Sequence, residues 1–155
     1  MSNTSHSSRR PRVRVAAVIV ENDAILLVRH EKDGRTYWLL PGGGVEFGET
    51  LEQALVREMI EEVSLDITVE RPICINDSVP PDGHRHVINI CFIARTTGGG
   101  DPKVNADNRL KEARFIPIES LPDLPLFFPD IRDYLLDAWR HGFPGTQYLG
   151  NLWAD

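Results

Sequence analysis

Hydrophobic and polar positions along this chain change their period several times, and each change marks an element. Val13 to Val20 is a run of β-branched residues and alanine, and Ala24 to Val28 is another. Glu21-Asn22-Asp23 between them has turn chemistry, so the two runs predict an antiparallel hairpin. Tyr37-Trp38-Leu39-Leu40 predicts a third strand, stopped by Pro41 and followed by Gly42, Gly43 and Gly44, a stretch expected to be flexible backbone. From Thr50 to Val63 strong helix formers take over, and Thr50 with Gln53 three residues on is a capping-box start. Ile67 to Ile75, broken by Pro72, and Val87 to Ala94 predict strands on either side of a turn-rich loop, Asn76 to Gly83. Thr97 to Pro102 opens a long polar loop, and Ala113 to Ile116 predicts one more short strand. Asp130 is placed to cap a last helix in which Ile131, Tyr134, Leu135, Ala138 and Trp139 fall on one stripe, with Gly142 ending it.

Strands interspersed with two helices predict an α/β fold, a mixed β-sheet packed between helices in an α/β/α sandwich. The 155 residues suffice for one domain with one core. Residues 1–12, carrying Arg9, Arg10 and Arg12, are expected to form a flexible basic tail, and residues 13–155 a single domain with a C-terminal helix and tail. The apolar end from Gly142 to Trp153 is expected to dock on the domain or on a second copy, which leaves a homodimer open. Charge narrows the partners: 17 Lys plus Arg against 23 Asp plus Glu gives a net charge of −6, which attracts no phosphate backbone. No stable nucleic-acid partner is therefore expected, and an anionic substrate would need metal ions to mediate its binding. No apolar run approaches the ~20 residues of a membrane-spanning helix, so a soluble protein is expected, with no membrane partner. Cys74 and Cys91, both in strand-like runs, form no disulfide framework; buried thiols in a cytoplasmic, reducing setting fit them.

The chemistry gathers at the end of the first helix. Arg57-Glu58-Met59-Ile60-Glu61-Glu62 sets three carboxylates at i, i+3 and i+4. At roughly 100° per residue they share an arc of about 100°, and Leu51, Ala54 and Leu55 point into the same sector. Acids that continue an apolar face turn toward the protein, where they repel one another unless cations compensate. Oxygen-only ligands favour hard ions such as Mg²⁺ or Mn²⁺. A solvated helix end supported by an Arg57–Glu61 pair is the competing reading, and the helix alone leaves both open. The loop before it, Pro41 to Glu49, favours the site, because its bare glycine backbone comes close to a ligand just ahead of the acids.

These residues resemble the Nudix hydrolase signature: Gly, five residues, Glu, seven residues, then Arg-Glu-apolar-any-Glu-Glu-any-Gly-apolar. Gly43, Glu49, Arg57, Glu58, Met59, Glu61, Glu62 and Leu65 match, and Ser64 departs where the family has Gly, at a position suited to left-handed backbone. The resemblance implies a Nudix-type sandwich over residues 13–155 and metal-dependent hydrolysis of the diphosphate bond in a nucleoside diphosphate linked to another moiety. That substrate would be a nucleotide sugar such as ADP-ribose, a dinucleotide or a nucleoside triphosphate. It further implies that Glu58, Glu61 and Glu62 hold the metals, joined by the Gly42 carbonyl, that Arg57 orients the carboxylates and that Glu49 supports them. Glu62 or Glu58 is expected to take the proton from water, with Asp107 or Glu112 as an extra acid from a later loop. Arg29, Tyr37 and Arg85 are the expected substrate contacts, an Arg fork for phosphate and a ring for a base; His84 and His86 are expected to lie on the surface. A non-hydrolytic nucleotide-sensing domain of the same fold is the alternative.

Overall fold

The computed structural model describes residues 9–98, 100–105, 110–126 and 131–153. Two sheets form the middle layers. Strand β1 (Arg12–Val18) runs at the heart of the first, flanked by β5 (Gly42–Gly44) and β7 (Val87–Thr96). Beyond them lie β6 (Ile67–Ser78) and β9 (Gln147–Asn151), in the order β5-β1-β7-β6-β9. The second sheet is built on β3 (Ala24–Lys32), with β2 (Val20–Glu21), β4 (Arg35–Leu39) and β8 (Leu110–Pro117) paired to it. Helices α1 (Leu51–Val63) and α2 (Ile131–Arg140) cover the two outer faces, and a 3₁₀ turn spans Ile118–Asp123.

Period-two alternation divides the core between them. Val15, Ala17 and Ile19 pack with Ala54, Leu55, Met59 and Val63 of α1. Ala16 and Val18 turn the other way, to Ile131, Leu135 and Leu136 of α2. Because β1 is buried on both faces, its run of apolar residues shows no break where the chain changes sheet. The expected Val13–Val20 hairpin with Ala24–Val28 is accordingly corrected. Only Val20 and Glu21 pair with β3, while β1 lies parallel to β7 in the other sheet. The turn itself is as its residues suggest, with Asn22 and Asp23 both at positive φ (49° and 61°), the geometry of a tight two-residue hairpin loop.

Other boundaries also move. Arg12 belongs to β1 rather than to a tail, its N–H bonded to the His86 carbonyl at 3.0 Å. The glycines expected to be loose are a strand: Gly42, Gly43 and Gly44 pair with Ala16, Val15 and Arg14. Strand β6 runs on to Ser78 through Pro72, which sits at a ladder irregularity where no donor is needed. The C-terminal tail docks as β9, parallel to β6, with Leu152 buried behind it. The α2 stripe buries Ile131, Leu135 and Ala138 as expected, and its expected cap Asp130 lies outside the described residues.

Candidate active site

Helix α1 begins where its sequence says it should: Thr50 Oγ1 accepts from the Gln53 N–H at 3.1 Å and Gln53 Oε1 accepts from the Thr50 N–H at 2.9 Å. It ends at Ser64, held left-handed (φ 59°, ψ 35°) with its N–H on the Ile60 carbonyl. Between these points α1 lays its apolar residues on the first sheet and carries Glu58 and Glu62 over the β5 edge.

That edge is shaped by missing side chains. A Cβ on Gly42 would sit 2.0 Å from the Val15 carbonyl oxygen, and one on Gly43 would sit 2.3 Å from the Glu58 carboxyl carbon. Gly42 therefore lets β5 close on β1, and Gly43 leaves the hollow that holds the Glu58 carboxylate. Ala17 donates to the Pro41 carbonyl and Val45 to the Val13 carbonyl. Strand alternation then leaves the backbone groups of Gly42 and Gly44 facing away from β1. The Gly44 carbonyl takes Arg57 Nη2 at 3.0 Å, and the Gly42 N–H bonds the Glu62 carboxylate.

Arg57 organises the acids. Its Nε and Nη2 grip both oxygens of Glu49 at 2.7 and 2.8 Å, a bidentate fork that holds the Glu49 carboxyl down at about 2. Its Nη1 reaches Oε1 of Glu58 at 2.9 Å and Oε2 of Glu61 at 3.2 Å, leaving the other oxygen of each for a cation. Glu62 is pushed up to about 7, first because it is buried and against the pull of Arg14, with the charge of Glu58 raising it further. Glu58, Glu61 and Glu62 line one cavity of about 450 Å³, counting its open mouth, together with Asn105 and Leu110. No group of three or more acid, histidine or cysteine side chains is yet drawn in to ligand distance among the described residues. The donor set nevertheless suits a hard divalent ion: three carboxylates, oxygen only, lining one cavity.

A family model described as NUDIX domain matches residues 10–138. The chain belongs to the Nudix family. Nudix members are hydrolases that split the diphosphate bond of nucleoside diphosphate derivatives with the help of divalent metal ions, and this chain is an enzyme of that class. An ADP-ribose pyrophosphatase from Methanocaldococcus jannaschii is 36% identical to it over 134 residues, 85% of this chain and 76% of that protein. The nucleoside triphosphatase NudI from an Enterobacter species is 31% identical over 126 residues, 76% of this chain and 89% of that one. Among solved structures, an ADP-ribose pyrophosphatase from Streptococcus suis matches with a TM-score of 0.67 at 26% identity, covering 90% of this chain and 99% of its own.

The Nudix signature residues thus meet at one edge, and the residues expected around them do not all join. Glu112 lies on β8, where Arg29 holds one oxygen at 3.1 Å and Arg114 the other at 3.4 Å; it does not line the acid cavity. Arg29 is spent on that pair, on the face of β3 that Trp38 shares. Tyr37 points to the other face of β4 and stacks on His30 at 5.5 Å. Arg85 is exposed on the 79–86 loop, beside His84, which bonds Asp82 at 2.5 Å. Asp107 lies outside the described residues. Two basic residues that were not among the expected contacts stand on β1 next to the site, Arg12 from the end of the expected tail and Arg14 from within the Val13–Val20 run. Arg14 bonds the Leu40 carbonyl at 3.0 Å, and an Arg12 nitrogen would lie 3.2 Å from a Cβ on Gly44. The alternation Arg12-Val13-Arg14-Val15 is the signal that places them on one face of a strand.

Proposed function

We propose that this Nudix hydrolase cleaves the diphosphate of a small nucleotide sugar of the ADP-ribose kind, with Mg²⁺ or Mn²⁺ held by Glu58, Glu61, Glu62 and the Gly42 carbonyl. The observation that carries the reading is the shared cavity of the three α1 glutamates, each presented by a backbone or guanidinium contact that leaves oxygen to spare. Similarity to ADP-ribose pyrophosphatases supports the choice of substrate. Bound there, a divalent ion neutralises the diphosphate and lowers the pKa of water. The chain's own residues do the rest. Arg57, fixed by Glu49, sets the direction of Glu58 and Glu61. Glu58 is tied to Arg57 and so is the poorer base. Glu62 accepts the Gly42 N–H at one oxygen, which keeps a second lone pair for the cation, and its other oxygen would take the proton of the attacking water. Arg14 and Arg12, at the same strand edge, receive the charge of the phosphates. Two free buried thiols fit a cytoplasmic setting.

The test is product analysis. ADP-ribose, other nucleotide sugars, dinucleotides and nucleoside triphosphates are each incubated with Mg²⁺ or with EDTA and resolved by chromatography. Metal-dependent release of AMP and ribose 5-phosphate from ADP-ribose is expected. Turnover confined to triphosphates would overturn the substrate, and no turnover with any of them would overturn the reading itself.

A further inference from the structure

Helix α1 ends in a way that its own residues do not explain. Ser64 is a non-glycine residue at φ 59°, ψ 35°, left-handed backbone that strains any residue with a Cβ. The last turn carries no basic side chain, although Glu61 and Glu62 stand at the negative end of the helix dipole. Strain and like charge at one helix end persist only where the surroundings hold them in place.

What holds this end is a segment far along the chain. The Lys103 N–H bonds the Val63 carbonyl at 2.9 Å, and Asn105 Nδ2 donates to the Glu61 carbonyl. With the Ser64 N–H on the Ile60 carbonyl at 3.1 Å, these donors satisfy carbonyls that a helix leaves open at its C-terminus. Ser64 Oγ donates to Asn105 Oδ1 at 3.3 Å. An amide has a donor end and an acceptor end, so a hydroxyl on Oδ1 leaves Nδ2 to face the Glu61 carbonyl. The residue that strains the helix end is thus the one that orients the amide. Asn105 also forms part of the wall of the acid cavity, beside Glu58, Glu61 and Glu62.

The three acids are not held equally. Glu58 sits in the Gly43 hollow with Arg57 on one oxygen, and Glu62 is buried against the Gly42 N–H. The Glu61 side chain is 60% exposed and has a 3.2 Å contact to Arg57. Where its carboxylate points therefore depends on its backbone, and the Glu61 carbonyl is the atom that Asn105 grips. We infer that Asn105 is a positioning residue for the metal site: oriented by Ser64, it fixes the Glu61 backbone so that the carboxylate is presented to the cavity that Glu58 and Glu62 share. This role rests on the reading that these acids hold a divalent cation. It also sets Ser64 against its own stability, since glycine in its place relaxes the helix end and frees the amide to turn.

The test is a Mn²⁺ titration of the full chain followed by electron paramagnetic resonance, with urea denaturation of the metal-free protein beside it. In Asn105→Ala, where the Lys103 bond keeps the segment docked, Mn²⁺ affinity should fall about tenfold. In Ser64→Gly it should fall about threefold, the worth of one hydrogen bond, while the urea midpoint rises; a merely structural role cannot move the two in opposite directions. The double variant should bind Mn²⁺ no more weakly than Asn105→Ala, because both changes undo one latch. Wild-type affinity in Asn105→Ala, or losses that multiply in the double variant, would overturn the inference and leave the metal site standing. No saturable Mn²⁺ binding in the wild type would overturn the metal reading and this role with it.

Discussion

Gly43→Ala separates the role of the glutamate cradle from that of the fold. The new Cβ would occupy the place of the Glu58 carboxyl, 2.3 Å from its carbon and 2.6 Å from its far oxygen. Those atoms are the end of a flexible side chain, so the clash is relieved by swinging Glu58 away. The swing sacrifices the 2.9 Å contact to Arg57, between side chains that are 17% and 23% exposed, which is worth about 0.5–1 kcal/mol. Against this, alanine restricts the unfolded chain and returns about 0.4–1 kcal/mol, because Gly43 does not use positive φ. The net change in stability is within about 1 kcal/mol, or roughly 2–4 °C in Tm for a chain of this size. Glu58, however, has left the cavity, and both Mg²⁺ affinity and turnover should fall by about 100-fold or more. Gly42→Ala is the contrast. Its Cβ meets backbone, Val15 O at 2.0 Å and the Ala16 Cα at 2.8 Å, so β5 must part from β1. The cost should exceed about 3 kcal/mol. Thermal melts with and without Mg²⁺, read beside ADP-ribose turnover, decide the matter. A Gly43→Ala protein with wild-type turnover and wild-type stabilisation by Mg²⁺ would refute the cradle.

The raised Glu62 carboxyl, about 7 in the folded metal-free protein against 4.5 for a solvated glutamate, contributes stability that is fully present below pH 4.5 and is lost as pH rises through 7. The loss is at most about 3 kcal/mol, so Glu62→Gln should flatten the dependence of the metal-free melting temperature on pH and raise it at pH 8. Ser64→Gly relieves the left-handed strain at the end of α1 and, less the 3.3 Å contact to Asn105, should stabilise by up to about 1 kcal/mol in urea denaturation. Glu112→Gln should leave turnover within a few-fold of wild type, since Arg29 and Arg114 hold that carboxylate away from the acid cavity; a drop of about 100-fold would restore it to the mechanism. Cys74 and Cys91, buried opposite each other on β6 and β7, should resist a thiol reagent in the native state and react on unfolding.

Local signals carried the elements that local chemistry makes. The α1 start, its apolar face and its acids were legible because a capping box and a 3.6-residue period are written within a dozen positions. The left-handed backbone at Ser64 was legible only through the resemblance, whose signature has Gly at that position. The Asp33-Gly34 turn between β3 and β4, with both residues at positive φ, was equally visible as a tight-hairpin dipeptide, though the chain's apolar runs drew the reading elsewhere. What escaped depends on partners far along the chain. Glycines have no side chain to alternate, so nothing local shows that Gly42 to Gly44 form a strand against β1. Val13 to Val20 is apolar on both faces, so no period marks its departure from one sheet to the other. Glu112 looked available until Arg29, 83 residues earlier, arrived beside it. Tyr37 and Trp38 looked alike until the ladder sent them to opposite faces.

Direct Mn²⁺ binding tests most plainly whether the α1 glutamates hold a divalent cation. Electron paramagnetic resonance titration of the purified protein should show saturable Mn²⁺ binding in the wild type. In Glu58→Gln and in Glu62→Gln that binding should weaken by about tenfold or more, while each variant keeps a cooperative thermal transition. Wild-type Mn²⁺ affinity in both variants would place the metal elsewhere and contradict the account.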